Sequence, residues 1–315
     1  MGPVFRLRQQ RMRTRSVLER LGLTPVPIAP NEFLGAADWV ECGDARAVVE
    51  SVGQGPPILA LPGFAGTSRA WLPLAGRLAA NWRLLLIDPP GFALADKPAG
   101  ADYSAEAQAR RLLGVMDRLE IGAGALMATS GTGPAGLAAA AIAPDRIKAL
   151  ILVAPFLSPS ALARWAIRIA GNDLVAPVAG RIASLRTVVG LANIMGMEDA
   201  RSVTDEVIDE QYLPFGAPDF VRASFEILKH LAPDDLDRLL PSISVPVLAV
   251  HGESDLASDQ ARTLRLLNML PDIQQVELEH CGHVIQREFP NELATLIDEF
   301  LSRRLEAVRS SAAAA

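Results

Sequence analysis

Short apolar runs bounded by Gly, Pro or Asp recur along the chain and alternate with longer segments of helical period. Residues 38–42, 46–52 and 57–61 read as strands, with turns at Gly43-Asp44 and from Gly53 to Pro57. Helices then enter. The pattern predicts a helix over 67–80, a strand over 83–88, a helix over 104–119, a strand over 125–129, a helix over 131–143 and a strand from Ala149 to Ala154. After Pro155 the alternation stops for about 85 residues. It resumes with a strand from Val245 to His251, a helix near 259–270, a strand over 273–279 and a helix over 290–306. Near-continuous apolar strands separated by helices predict an α/β fold: a mostly parallel sheet of eight strands with helices on both faces.

The expected organisation is a core of 36–156 and 242–306, a helical insertion at 157–241, a basic helical extension at 1–35 and a disordered tail at 307–315. In the insertion, Leu162, Trp165, Ala166 and Ile169 share one helical face, with Arg164 and Arg168 on the other. Further helices are expected near 178–194, 202–210 and 217–230. Ile121 to Pro144 lacks charge and is long enough to span a bilayer. Its five glycines, Pro134 and polar 129–132 fit a buried strand, turn and helix instead.

Half of the 315 residues are hydrophobic, enough for a large core. The net charge of −6 argues against a general nucleic-acid partner. Residues 1–20 hold six Arg and one Glu, a local +5. A helix lying on the domain is the leading expectation there, ahead of membrane contact or organelle targeting. With no secretory signal or spanning segment in view, the expected location is cytoplasmic, and the oligomeric state is left open. Two cysteines, Cys42 and Cys281, form neither a disulfide framework nor a metal cluster.

Ligands of open parallel sheets bind where strands end and helices begin. Four such turns stand out. In Ala128-Thr129-Ser130-Gly131-Thr132-Gly133-Pro134, a sharp turn would lift Ser130 above the sheet as a nucleophile. A plain N-cap serine is the alternative. Gly131, Gly133 and Gly136 also spell a dinucleotide fingerprint, but strands precede it and Lys148 to Ser160 holds no acid. Cys281-Gly282-His283 follows a strand and offers a general base, whereas His230, His251 and His280 read as structural. His251-Gly252-Glu253-Ser254-Asp255 offers a carboxylate to orient that base. Asp255 is the best placed, with Glu253 and Asp259 as alternatives. Leu61-Pro62-Gly63-Phe64-Ala65-Gly66 could present backbone N–H groups to an oxyanion.

Together with Asp88-Pro89-Pro90-Gly91-Phe92-Ala93-Leu94-Ala95-Asp96, these turns resemble the motifs of the α/β-hydrolase family, in order, over residues 38–306. The departures are Pro62 for a histidine, Ala93 and Ala95 for a glycine and a serine, and Ala128 and Thr132 for both elbow glycines. The resemblance implies an α/β-hydrolase sheet with a helical cap. It implies a serine hydrolase cleaving an apolar carboxylic ester, thioester or lactone through an acyl-enzyme. Ser130 would attack, His283 would move the proton, Asp255 would orient His283, and the N–H groups of Phe64 and Gly131 would hold the oxyanion. It implies no cofactor and no metal. The apolar insertion, including Leu174, Val175, Ile182, Val188 and Leu191, would form a lid over a largely apolar substrate. Two alternatives stay open: other chemistry on this fold, by a C–C bond hydrolase or a cyclase, and a binding protein inactivated at Thr132.

Overall fold

The computed structural model describes residues 37–313, apart from 171, 173–174, 176–179, 183–184, 200, 202 and 232–234. The expected extension at 1–35 and Leu174 therefore lie outside the described residues. Eight strands form one sheet: β1 (Asp38–Glu41), β2 (Arg46–Val52), β3 (Pro57–Leu61), β4 (Arg83–Asp88), β5 (Gly124–Thr129), β6 (Ile147–Val153), β7 (Val247–Gly252) and β8 (Ile273–Leu278). Their order is β1-β2-β4-β3-β5-β6-β7-β8. The pairs β1/β2 and β2/β4 are antiparallel and the rest parallel.

The helices that follow the first strands are α1 (Leu72–Leu78), α2 (Ala105–Arg118) and α3 (Gly133–Ile142). Between β6 and β7 come α4 (Ala161–Ala170), α5 (Arg186–Gly196), α6 (Asp205–Tyr212), α7 (Phe220–Leu228) and α8 (Leu236–Leu239). Next are α9 (Gln260–Leu267), α10 (Ile285–Glu288) and α11 (Pro290–Ala313).

Period-two alternation builds two apolar layers from the same strands. Ile58, Leu84, Leu86, Met127 and Ile151 meet Trp71, Leu78 and Phe300 on one face. Leu59, Leu85, Ile87, Leu126 and Leu150 meet Leu112, Met116, Leu137 and Leu267 on the other. Each such Leu or Ile contributes roughly 1.5–3 kcal/mol by leaving water, so the central strands cannot slip by one residue.

Several elements depart from the sequence expectation, and the helix expected over 67–80 opens with a 3-10 turn at Ser68–Trp71 before α1. The segment expected as helix 131–143 opens with a 3-10 turn at Ser130–Thr132 before α3. Strand β6 ends at Val153, because Ala154 adopts a left-handed φ of 43°. Helix α11 runs to Ala313, through most of the expected disordered tail. The stretch contains neither Gly nor Pro after Pro290, and alanine is the strongest helix former, so nothing stops it.

Candidate active site

Ser130 follows β5 and adopts φ 53°, a left-handed conformation uncommon for a residue with a side chain. The turn therefore stores strain to present the hydroxyl. Its neighbours explain how it fits. A Cβ on Gly131 would lie 2.7 Å from Leu231 Cδ2 and 3.0 Å from Phe64 Cβ, so a larger residue there would press on both side chains. Thr132 is buried, and its hydroxyl faces two carbonyls, Pro62 O at 2.8 Å and Thr129 O at 3.0 Å. The β-branched residue thus has room, and its single proton links the elbow to the turn after β3.

His283 Nε2 lies 2.9 Å from Ser130 Oγ, and Nδ1 lies 2.8 Å from Asp255 Oδ2. The one tautomer that serves both contacts has Nδ1–H donating to the carboxylate and Nε2 accepting from the serine hydroxyl. Asp255 also accepts from Ala257 N–H at 2.8 Å. Burial alone would raise its pKa, but the hydrogen bond and charge of His283, with the Ala257 and Ser258 N–H groups, hold it below the ordinary value.

The other candidates have different work. Glu253 accepts the His280 N–H at 3.2 Å, and Asp259 caps α9 by accepting from Arg262 N–H at 3.1 Å. His251 lies 3.4 Å from Glu277, and His280 takes φ 52° in an exposed turn. Cys281 is fully buried, and burial pushes its thiol up to about 12, so it packs rather than reacts.

Phe64 and Ala65 are the central pair of a turn closed by Gly66 N–H donating to Gly63 O at 3.1 Å. A Cβ on Gly63 would lie 3.6 Å from Ser130 Cβ, so this turn sits directly against the serine. Gly131 opens the turn leading into α3, where first-turn N–H groups have no intrahelical acceptor. The sequence-predicted residues Phe64, Ser130, Gly131, Asp255 and His283 therefore meet at one place.

Sequence reasoning missed the support for the histidine turn. His283 N–H donates to Gly196 O at 2.6 Å, and Glu288 accepts from both Gly282 N–H at 3.0 Å and Glu198 N–H at 2.7 Å. A Cβ on Gly282 would lie 2.6 Å from Gly196 O. The end of α5, in the insertion, thus buttresses the turn carrying His283. No local pattern announces such long-range backbone contacts.

Two cavities meet at Ser130 and His283. The larger, about 730 Å³, is lined by apolar side chains such as Phe156, Ile167, Val188, Phe215, Phe225 and Leu228. Among its described lining residues there is no Lys, Arg, Asp or Glu. The smaller, about 100 Å³, is more polar, with Thr67, Glu210, Gln211 and Gln286 in its wall. Among the described residues no group of three or more His, Cys, Asp or Glu is placed to hold a metal ion. No described helix is long and apolar enough to cross a membrane.

The alpha/beta hydrolase fold family matches residues 56–174. A 2-hydroxy-6-oxononadienedioate/2-hydroxy-6-oxononatrienedioate hydrolase of Cupriavidus pinatubonensis is 28% identical over 83% of this chain and 90% of its own. A pimeloyl-[acyl-carrier protein] methyl ester esterase of Aeromonas salmonicida is 26% identical over 80% and 98%. A solved meta-cleavage product hydrolase of Pseudomonas fluorescens superposes with a TM-score of 0.72 at 19% identity, covering 84% of this chain and 97% of that one. The chain has the alpha/beta hydrolase fold, and it resembles that family in sequence as well. Its similarity to carbon–carbon bond hydrolases fits the non-ester alternative better than ester cleavage, with some esterases also among the relatives.

Proposed function

We propose that the protein is a serine hydrolase that cleaves uncharged carboxylic esters with a largely apolar acyl group. The observation that carries this reading is the continuous chain from Asp255 through His283 to Ser130, at 2.8 and 2.9 Å, opening on an apolar cavity. Ser130 Oγ adds to the carbonyl carbon as its proton passes to His283 Nε2. The Phe64 and Gly131 N–H groups receive the negative oxygen. On collapse, the C–O bond to the alcohol breaks and His283 returns the proton to the leaving oxygen. Water then repeats the sequence on the acyl-enzyme and frees the acid. Asp255, held ionised at neutral pH, stabilises the imidazolium in both halves. The acyl chain occupies the large cavity, under a lid formed by 157–241, and a small polar alcohol occupies the other.

A second reading, hydrolysis of a carbon–carbon bond, is favoured by the relatives. The substrates in those names are dienoates or dienedioates, which carry carboxylates. The described lining of the large cavity supplies no cationic side chain for one, which favours an uncharged ester here.

A fluorophosphonate probe should label the protein and fail on Ser130→Ala. Across a panel of methyl esters and 2-hydroxy-6-oxodienoates, kcat/KM should favour uncharged esters and rise with acyl length. Preferential turnover of dienoates would replace ester cleavage with the second reading. Equal labelling of wild type and Ser130→Ala would remove the serine assignment from both.

A further inference from the structure

One polar side chain beside the catalytic groups lacks a partner. Gln286, on α10 and three residues after His283, is only 6% exposed, and its amide oxygen Oε1 meets no hydrogen-bond donor among the described residues. An unpaired buried acceptor is costly, so it marks a place where a group outside the chain supplies the donor. Gln286 stands in the wall of the smaller cavity, with Ser130 and His283. The unmet acceptor therefore belongs to the chamber that opens on the nucleophile and its base.

The insertion adds a second acceptor. Glu210 on α6 lines the same cavity, and its Oε2 lies 2.5 Å from Nη2 of the largely buried Arg287. The two charges balance, although the guanidinium N–H is not aligned for a hydrogen bond. These features select the occupant. It is small, because a cavity of about 100 Å³ holds only a few water-sized groups beside the ester. It is neutral, because a carboxylate would meet Glu210 and a cation would find that charge already matched by Arg287. It donates a hydrogen bond, because an alkyl chain or an ether would leave Gln286 Oε1 unmet. An alcohol with a further hydroxyl meets all three demands.

We propose that the smaller cavity is the leaving-group subsite for a polyol ester, and that Gln286 sets the preference by accepting a hydroxyl of the alcohol beside the ester oxygen. The proposal deepens the ester reading above and rests on it. His283 Nε2 returns its proton to the leaving oxygen at the mouth of this cavity, while the neighbouring hydroxyl stays bonded to Gln286.

The test uses the full chain and hexanoate esters of small alcohols. In wild type, kcat/KM should be about ten-fold or more higher for the 2,3-dihydroxypropyl ester than for the propyl ester. The 2-methoxyethyl ester should do no better than the propyl ester, and the carboxymethyl and choline esters should fall below the diol. In Gln286→Met, which keeps the length and loses the acceptor, the diol-to-propyl ratio should fall to within about two-fold of one. This variant should also unfold at no lower urea concentration than wild type, since it removes an acceptor without a partner in the fold. A large loss of stability would show Gln286 bonded within the fold and overturn the proposal. Equal kcat/KM for the diol and propyl esters, or a diol preference that survives in Gln286→Met, would overturn it too, leaving the ester reading in place and Gln286 Oε1 to water. Preference for the carboxymethyl or choline ester would overturn the neutral assignment. Calorimetric binding of 1-O-hexylglycerol and its di-O-methyl ether keeps the two readings apart. Tighter binding of the free diol by a protein that turns over no ester would uphold the hydroxyl subsite and remove the ester reading, and equal binding by such a protein would remove both.

Discussion

The sheet with its flanking helices and the insertion between β6 and β7 solve the same burial problem differently. In the sheet, each central strand gives alternate side chains to two apolar layers, and residues such as Leu84, Leu86 and Phe300 are almost wholly out of water. In the insertion, helix α5 buries Val189 and Asn193 but leaves Leu191, Ile194 and Met195 at the surface, and much of the inner face lines a cavity rather than a packed interior. A domain needs its core filled to hold a strained serine turn, whereas a substrate chamber must stay unfilled to admit a ligand. The two regions meet at His283, whose ring bonds the core residues Ser130 and Asp255 while its N–H bonds Gly196 in the insertion.

The contrast is sharpest in truncation. Phe300→Ala should cost about 3–5 kcal/mol of unfolding free energy, and Leu191→Ala within ~0.5 kcal/mol of none, by urea denaturation. Equal losses would mean that the insertion has a packed core of its own, and the division drawn here would fail.

The same difference decides what could be read in advance. Strands β3 to β7 were legible because a strand buried on both faces must be apolar throughout, whereas the more exposed β1, β2 and β8 were marked chiefly by the turn residues that bound them. Ser130, Asp255 and His283 were legible as turn residues after strands, and Asp255 separates from Glu253 and Asp259 only in three dimensions. Helical period pointed to helices in the insertion but did not say which side of α4 turns inward. Trp165 counted as part of an apolar face yet stands exposed, while Ala163 and Ile167 face the cavity. A helix covering a chamber has apolar residues on two sides, so its period does not identify the inner one.

A second test probes the buried end of β4. Asp88 accepts the Ser68 N–H at 2.6 Å, yet burial pushes its carboxyl up to about 6 from 3.8. A carboxyl raised on folding binds more protons in the folded state, so its stabilisation is full below pH 3.8 and is lost as pH rises through about 6. Asn keeps the acceptor and removes the titration. From pH 4 to 7 the stability of Asp88→Asn relative to wild type should therefore increase, by on the order of 3 kcal/mol. A difference independent of pH would show that Asp88 is not confined by the core as described.

The smallest effect concerns Thr132, where the core itself departs from the family's pattern. If the Thr132 hydroxyl fixes the Pro62-to-Phe64 turn relative to Ser130, then Thr132→Val leaves the shape but orphans a buried carbonyl, at about 1–3 kcal/mol. Part of that cost should appear in catalysis, because a displaced Phe64 N–H weakens stabilisation of the oxyanion rather than binding of the ester. The expected result is a fall in kcat of roughly ten-fold with KM little changed, and recovery of most of it in Thr132→Ser. The contrast between Val and Ser separates the hydroxyl from the methyl group. Equal kcat in the two variants would make Thr132 a packing residue, and a change in KM alone would place its influence on the substrate chamber instead of the elbow.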